Sequence, residues 1–377
     1  MRRRLLRSPA AATKARGEST GHSRVRAAIG AVFRRGYSQA RIRKPAMTMT
    51  NRRLPGCVLS VDPLITFSKR APALGVGLGL IGHRLDLAKA GPSFNILTLA
   101  WTHEGDGQAK RLKQELDAFA ETAPLARFIV LANTETEHQS LHRHGIESVV
   151  GNILCLADTE RFRIVAPASD ASRFDAVYVA GFQPFKRHAL ACDITSLLLL
   201  YWPPGPIEAI SMRQTLPHAT FGNHALQDGV FSWLEGEVYC QQLGRASVGL
   251  CLSAEEGPMR ASIEYMLCGL PVVTTPARGG RIEMLSGPHL SVVPPDPKAI
   301  AAAVAEVAEA KPDPFQIRST ILDRIGKERQ ALLHGVNQWL ENQAAPLLDG
   351  GMFEQMVRYG VWRTRPEAEI FENVIGR

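Results

Sequence analysis

Two carboxylates eight positions apart, Glu256 and Glu264, are the residues of this 377-residue chain best placed to do chemistry. They lie within residues 247–283, SVGLCLSAEEGPMRASIEYMLCGLPVVTTPARGGRIE. The apolar run 248–252 has strand length, and 253–257 is a polar turn. Pro258 stands where a first helical residue belongs, Ile263, Met266 and Leu267 follow at helical spacing, and Gly269 reads as a left-handed cap. Residues 270–275 read as a second buried strand, and Gly279-Gly280 turns the chain again. Strand, glycine-bearing turn, helix, strand is a parallel α/β unit, and such units bind ligands at the carboxyl ends of their strands.

On this reading Glu256 falls in the loop and Glu264 about two turns into the helix. Unpaired N–H groups near Gly257, Met259 and Arg260 would face an anion at the helix start. A carboxylate repels an anion, so its useful partners there are hydroxyl donors. Phosphates in the middle with hydroxylated rings on both sides describe a nucleotide-sugar. The plainer reading has Glu255 and Glu256 complementing a helix dipole and Glu264 pairing with Arg260 four residues earlier.

A second candidate anion site follows the strand 174–180 (FDAVYVA), which leads into GFQPFKRH. A glycine turn and the basic pair Lys186-Arg187 opening a helix would face the Glu256 loop across the sheet edge; a solvated basic helix start is the alternative. His103 follows the strand 95–101 (NILTLAW) in THEGDG, as a cleft-facing side chain or a surface loop histidine. Residues 77–82 (GLGLIG) formally match the dinucleotide fingerprint, with Glu104 as an acid near the right distance. SKRAPA rather than a strand precedes them, which favours a flexible glycine-rich loop at the cleft.

Residues 247–300 resemble the donor-binding segment of the retaining, GT-B-fold glycosyltransferases of the glycogen-synthase-like (family 4 type) group. Glu256 and Glu264 match its E-x7-E element, and Cys268-Gly269-Leu270-Pro271-Val272-Val273-Thr274 matches its small-Gly-x-Pro-Val-Val run. Gly279-Gly280 with Glu283, then Val293-Pro294-Pro295-Asp296-Pro297, match the next two landmarks in order. The resemblance implies that Glu256 touches the donor sugar, that Glu264 accepts from the ribose, and that a first-domain histidine, for which His103 is the candidate, contacts the sugar. It also implies that Lys186 and an arginine about five residues earlier hold the pyrophosphate, but that position is Gly181. Arg187 is the substitute at hand; failing it, turnover is weak or absent.

Length allows two domains with real cores. No apolar stretch reaches membrane-spanning length, which leaves peripheral membrane contact open. Six scattered cysteines without a C-x-x-C pair fit reduced thiols in the cytoplasm and offer no metal site; Cys251 and Cys268 read as core. The net charge of +8 is unevenly held: residues 1–55 carry +14, leaving −6 for the rest. That tail lacks apolar periodicity and reads as disordered. A transit peptide, a segment binding nucleic acid or anionic lipid, and an upstream extension before Met47 or Met49 compete to explain it, and the last is preferred because nothing else there suggests function.

The expected organisation is a tail (1–54), a short Rossmann-like acceptor-side domain (55–168), a Rossmann-like donor domain (169–330) and C-terminal helices (331–377) crossing back to the first domain. Further expected elements are strands at 57–61, 128–132, 149–156, 196–202 and 219–222, and helices at 109–122, 299–308 and from 315 to about 340. The expected class is thus α/β, GT-B-like, with two Rossmann-like domains facing a cleft. The expected activity is metal-independent, cofactor-free retaining transfer from a nucleotide-sugar to an unknown glycan, lipid or small-molecule acceptor, with no nucleic-acid partner. Glu256, Lys186 and His103 are its catalytic candidates, and Lys186, Arg187, Glu256, Gly257, Pro258, Met259 and Glu264 its donor-binding ones. Two alternatives stand beside it: a catalytically impaired nucleotide-sugar-binding protein, and a nucleic-acid or membrane-surface adaptor working through the tail.

Overall fold

The computed structural model describes residues 53–55, 57–61, 64–70, 92–99, 101–169, 171–223, 231–357 and 364–366, those before residue 92 and after 357 as backbone alone. The basic tail up to residue 52, the glycine run 77–82 and Trp362 lie outside the described residues. Strand β1 (Arg53–Pro55) pairs antiparallel with the last strand, β13 (Thr364–Pro366).

The first sheet has the order β2 (Cys57–Val61), β3 (Leu64–Arg70), β4 (Ser93–Leu99), β5 (Ala126–Ala132), β6 (Ser148–Val150). Only β2–β3 is antiparallel. Strand β3 takes in the first three residues of SKRAPA, which the sequence reads as polar turn, and ends at Arg70. β4 is buried along its whole length, as a parallel strand covered on both faces should be. Alternation along the strands divides its contacts. Leu97, Leu99, Val130 and Ala132 pack on the helices Asp106–Thr122 and Glu135–Arg143, whereas Phe94, Ile96, Ile129 and Leu131 turn into the main core.

The second sheet is parallel throughout, in the order β12 (Leu290–Val292), β11 (Val272–Thr274), β10 (Ala246–Cys251), β7 (Phe174–Val179), β8 (Leu197–Leu200), β9 (Thr220–Phe221). Chain order runs outward one way from β7 and the other way from β10. Their junction is therefore the topological switch point, where the crossover helices diverge and leave a crevice beyond the strand ends. The two parallel α/β units share one core, and strand carboxyl ends of both meet across the crevice. Phe185, beyond β7, touches Trp101, beyond β4, edge-to-face at 5.1 Å. This is the GT-B-like arrangement expected from the sequence.

The expected strand over 149–156 is corrected. Pairing ends at Val150, and Ile153–Leu156 is a 3-10 turn. The Asn152 side chain accepts from the Leu154 N–H and Asn133 Oδ1 from the Ile153 N–H, so side chains draw these donors away from the sheet.

The helix Pro314–Asn342 fastens the two units together. Its apolar stripe includes Ile317, Ile321, Ile325, Leu332 and Val336, all buried, and its far end packs on the first sheet. There Trp339 meets Phe94 at 5.9 Å and donates its Nε1–H to Glu147. Arg329, 9% exposed, reaches back from this helix to the carbonyls of Cys155 (2.8 Å) and Ala157 (2.9 Å) and pairs with Glu354. Replacing Arg329 by Met keeps the stem packing and strips those buried carbonyls of their donors. The expected cost in a urea denaturation is about 2–4 kcal/mol; an unchanged midpoint would show that Arg329 does not hold this junction.

Candidate functional site

The switch point brings the two predicted anion-site loops together. The chain leaves β7 through Gly181 and makes a 3-10 turn, Pro184–Lys186. Arg187 then takes a left-handed conformation (φ 52°) before a second 3-10 turn, His188–Ala191. The basic pair therefore does not open an α-helix as expected. The reversal at Arg187 sends the two side chains to different partners. Lys186 Nζ pairs with Glu256 Oε1, while Glu256 Oε2 accepts from Ser253 Oγ at 2.7 Å. The pair is well shielded, at 10% and 14% side-chain exposure. Arg187 turns to the strand ends, giving Nε to the Leu252 carbonyl and a terminal nitrogen to Thr275 Oγ1, each at 2.6 Å. Burial holds its pKa below the usual arginine range.

Beneath the pair lies a residue that sequence reasoning missed. Arg281, 2% exposed, donates to Ser253 Oγ at 2.9 Å and to the Ser253 carbonyl at 3.0 Å. Ser253 thus links a buried guanidinium to Glu256. Nothing in the sequence marks Arg281 apart from its place directly after Gly279-Gly280.

Those glycines are required by contact as well as by backbone angle. A Cβ on Gly279 (φ 106°) would lie 1.8 Å from the Glu256 carbonyl oxygen, and one on Gly280 (φ 88°) 2.7 Å from that of Asn133. The turn is clamped between the Glu256 loop and the first sheet. It also corrects the helix start. Glu255 bridges to Arg278, whose N–H donates to the Ala254 carbonyl, so the loop stays extended through Met259 and the helix begins at Arg260 rather than Pro258. Gly257, Pro258 and Met259 are all buried at its mouth.

Glu264 therefore stands about one turn into the helix, not two. It lines a cavity of about 210 Å³ together with Arg161, Arg260, Tyr239, Trp202 and Trp233. Glu264 Oε2 accepts from the Tyr239 hydroxyl at 2.6 Å. Burial raises its pKa, opposed by that hydrogen bond and by Arg260 and Arg161. Glu256 and Lys186 do not line this cavity; Val179, at the end of β7, does. The sequence-predicted residues thus divide into an ion pair at the switch point and a carboxylate in the aromatic cavity.

The first unit contributes a hydrogen-bonded rim. His103, read as a loop histidine, is 2% exposed, which excludes the surface reading. Its Nδ1 is 2.8 Å from the Trp101 carbonyl, and its backbone N–H donates to Glu137 Oε1 at 2.5 Å. Glu137, also missed, takes the Asn133 N–H (2.7 Å) and side-chain amide (3.0 Å) on its other oxygen. Burial raises its pKa, and these donors act against that. The Asn152 amide reaches the Gly280 carbonyl at 2.6 Å, which ties this rim to the Gly279-Gly280 turn.

Comparisons with known proteins agree with the segment singled out. Residues 228–310 match the family model of the glycosyl transferases group 1. No curated protein matches the chain. Three solved structures that it is similar to are Anabaena HepE in complex with UDP and glucose, an alpha,alpha-trehalose-phosphate synthase (UDP-forming) from Burkholderia xenovorans in complex with glucose-6-phosphate, and a sucrose-phosphate synthase from Thermosynechococcus elongatus. Identity to the first is 16%, over 68% of this chain and 84% of that one, with a TM-score of 0.41. For the second the values are 13%, 74%, 73% and 0.45. For the third they are 15%, 74%, 96% and 0.42. Likenesses this distant carry no inference about this chain.

Two predictions follow from the geometry. Gly279→Ala combines a forbidden contact with a strained backbone angle, so it is expected to lower stability by roughly 1–3 kcal/mol in chemical denaturation; a wild-type midpoint would mean the turn relaxes freely. His188 lies between the rings of Tyr178 and Phe182, and burial first, then Lys186, pushes its pKa down from 6.5 to about 4. A depressed histidine pKa contributes stability that is present above pH 6.5 and lost as pH falls through about 4. Wild type should lose roughly 3 kcal/mol over that window that His188→Phe does not lose; parallel pH curves would contradict the assignment.

Proposed function

We propose that the chain is a glycosyltransferase that moves a sugar from a nucleotide-sugar to an acceptor with retention at the anomeric carbon. The observation that carries this reading is the meeting of Lys186 and Glu256 at the switch point, beside the aromatic cavity of Glu264. In this account the nucleoside occupies the cavity, with its ribose hydroxyls on Glu264 and its base against Trp202 or Trp233. The diphosphate then runs over the helix mouth at Gly257, Pro258 and Met259 and takes Lys186 from Glu256. Glu256, released, accepts from hydroxyls of the donor sugar, and His103 meets that sugar from the first unit.

Charge develops on the leaving diphosphate, so Lys186 and the helix-terminal amides stabilise the transition state more than the ground state. That task needs no metal. The leaving phosphate takes the acceptor proton on the same face of the sugar, which accounts for retention without a separate general base. A two-carboxylate glycosidase scheme fits poorly, since it places acids on opposite sides of the scissile bond.

One observation favours a second reading, a donor-binding protein without turnover. Gly181 has no side chain for the diphosphate, and Arg187 is already engaged with Leu252 and Thr275.

Saturation-transfer NMR with a panel of nucleoside diphosphates and nucleotide-sugars tests the site, and release of nucleotide in the presence of acceptors tests turnover. Wild type should bind one nucleotide of the panel and Glu264→Ala should lose it; no binding at millimolar ligand would sink the donor-site reading. Glu256→Gln separates binding from chemistry. With Lys186 freed, affinity for the bare nucleoside diphosphate should rise up to about tenfold, while transfer falls on the order of a hundredfold or more. Weaker diphosphate binding in that variant would contradict the proposed exchange.

A further inference from the structure

Two hydrogen-bond acceptors stand side by side in the cavity of Glu264. Glu264 and Tyr239 both line it. The Tyr239 hydroxyl gives its one proton to Glu264 Oε2 at 2.6 Å, the length of a charge-assisted bond to a carboxylate. The phenolic oxygen can then only accept, and Glu264 Oε1 takes no hydrogen bond among the described residues. Polar groups enclosed by protein are seldom left without a partner. Burial raises the Glu264 pKa, while the Tyr239 bond, Arg260 and Arg161 act against it and favour the carboxylate. Both arginines line the same cavity and repel a cation, which disfavours an ammonium ligand. The ligand edge that fits is neutral and carries two adjacent O–H donors, a vicinal diol.

Tyr239 is held in place from behind. It lies on the helix Gly236–Leu243, and its ring meets Phe162, in the segment joining the two units, edge-to-face at 6.0 Å. The Phe162 carbonyl accepts from Arg318 Nη1 at 2.6 Å. Arg318, on the long helix, also donates to the Thr159 carbonyl at 2.7 Å and to that of Leu267, where the helix carrying Glu264 ends. One guanidinium thus ties the wall behind Tyr239 to the helix of Glu264, so both acceptors are ordered before a ligand arrives. That lowers the entropic cost of binding.

We propose that Tyr239 is a specificity-determining residue: its hydroxyl oxygen and Glu264 Oε1 seat the two ribose hydroxyls, one each, so that the site takes ribonucleoside diphosphates and rejects their 2′-deoxy and 3′-deoxy forms. The inference rests on the nucleotide reading of the cavity given above and narrows it, since donors carried on thymidine diphosphate are disfavoured. A deoxy ligand leaves one enclosed acceptor with no donor and brings nothing in exchange. The bond to the charged oxygen is the costlier one to lose.

Calorimetric titration of the full chain with UDP, GDP, ADP and CDP identifies the ribonucleotide that binds, and its 2′-deoxy and 3′-deoxy forms are titrated next. Wild type should bind the form lacking the Glu264 partner ~10- to 100-fold more weakly than the ribonucleotide, and the form lacking the Tyr239 partner ~5-fold more weakly. In Tyr239→Phe the ring stays and the acceptor goes. The smaller of the two ratios should therefore collapse to about one while the larger persists. Each ratio is taken within one protein, so a partly misfolded variant lowers the signal and leaves the ratio as it is. Two unchanged ratios in Tyr239→Phe would confine Tyr239 to packing, and a wild type that binds both deoxy forms as tightly as the ribonucleotide would have no diol seat. Either result overturns the inference and leaves the donor site standing. No binding of any of the four ribonucleotides at millimolar concentration overturns it together with the function it rests on.

Discussion

The site depends on one shielded ion pair, Lys186 with Glu256, held where the second sheet reverses its strand order. Withdrawing two charges from water costs several kcal/mol for each ion, so such a pair persists only where neighbours satisfy its remaining bonding capacity. Ser253 does this for the second carboxylate oxygen, Arg281 orders Ser253, and Tyr178 holds the Lys186 carbonyl with its hydroxyl. The closeness of Gly279 to the Glu256 backbone follows from the same demand, since a side chain there would push the loop off its lysine. On the proposed function that cost is reasonable: the lysine would be preorganised, and an anionic ligand would exchange with one carboxylate rather than order a free side chain.

The two units are coupled through that same loop. Gly280 meets Asn152, Asn152 and Asn133 hold the 3-10 turn that leads out of the first unit, and Asn133 and His103 share Glu137. A run of hydrogen bonds thus joins the candidate donor turn to the candidate sugar-contacting histidine. The helix Pro314–Asn342 supplies the apolar counterpart on the other side, where Trp339 and Arg329 fix it to the first sheet and the linker.

Much of the second unit could be read from the sequence because its signals are local. Apolar runs bounded by glycines marked β7, β10 and β11, and Gly269 took the left-handed conformation predicted for it (φ 81°). The long helix was legible from the amphipathic stretches between Phe315 and Leu340, and it runs from Pro314 to Asn342. What failed depended on contacts distant in sequence. Pro258 looked like a helix start, but the bridge between Glu255 and Arg278 keeps the chain extended for two further residues. Lys186 and Arg187 looked like one cationic cluster, and the left-handed backbone of Arg187 itself sends their side chains to different partners. His103 sits in a polar, glycine-bearing stretch and is nonetheless buried by Glu137, thirty-four residues away. Arg281 and Glu137 carried no local signal at all, since a charge well inside a protein is recognisable only from the partners that surround it.

The central claim, that Lys186 is the cation a nucleoside diphosphate takes over from Glu256, can be observed at its own nitrogen. Lysine side chains labelled with 15N at Nζ would be followed by heteronuclear NMR as the diphosphate is added, with the Lys186 signal identified by its loss in Lys186→Arg. The account predicts that this signal moves saturably, in step with occupancy, while the other lysine ammonium signals stay in place. A nucleotide that binds tightly and leaves the Lys186 signal unmoved would contradict it.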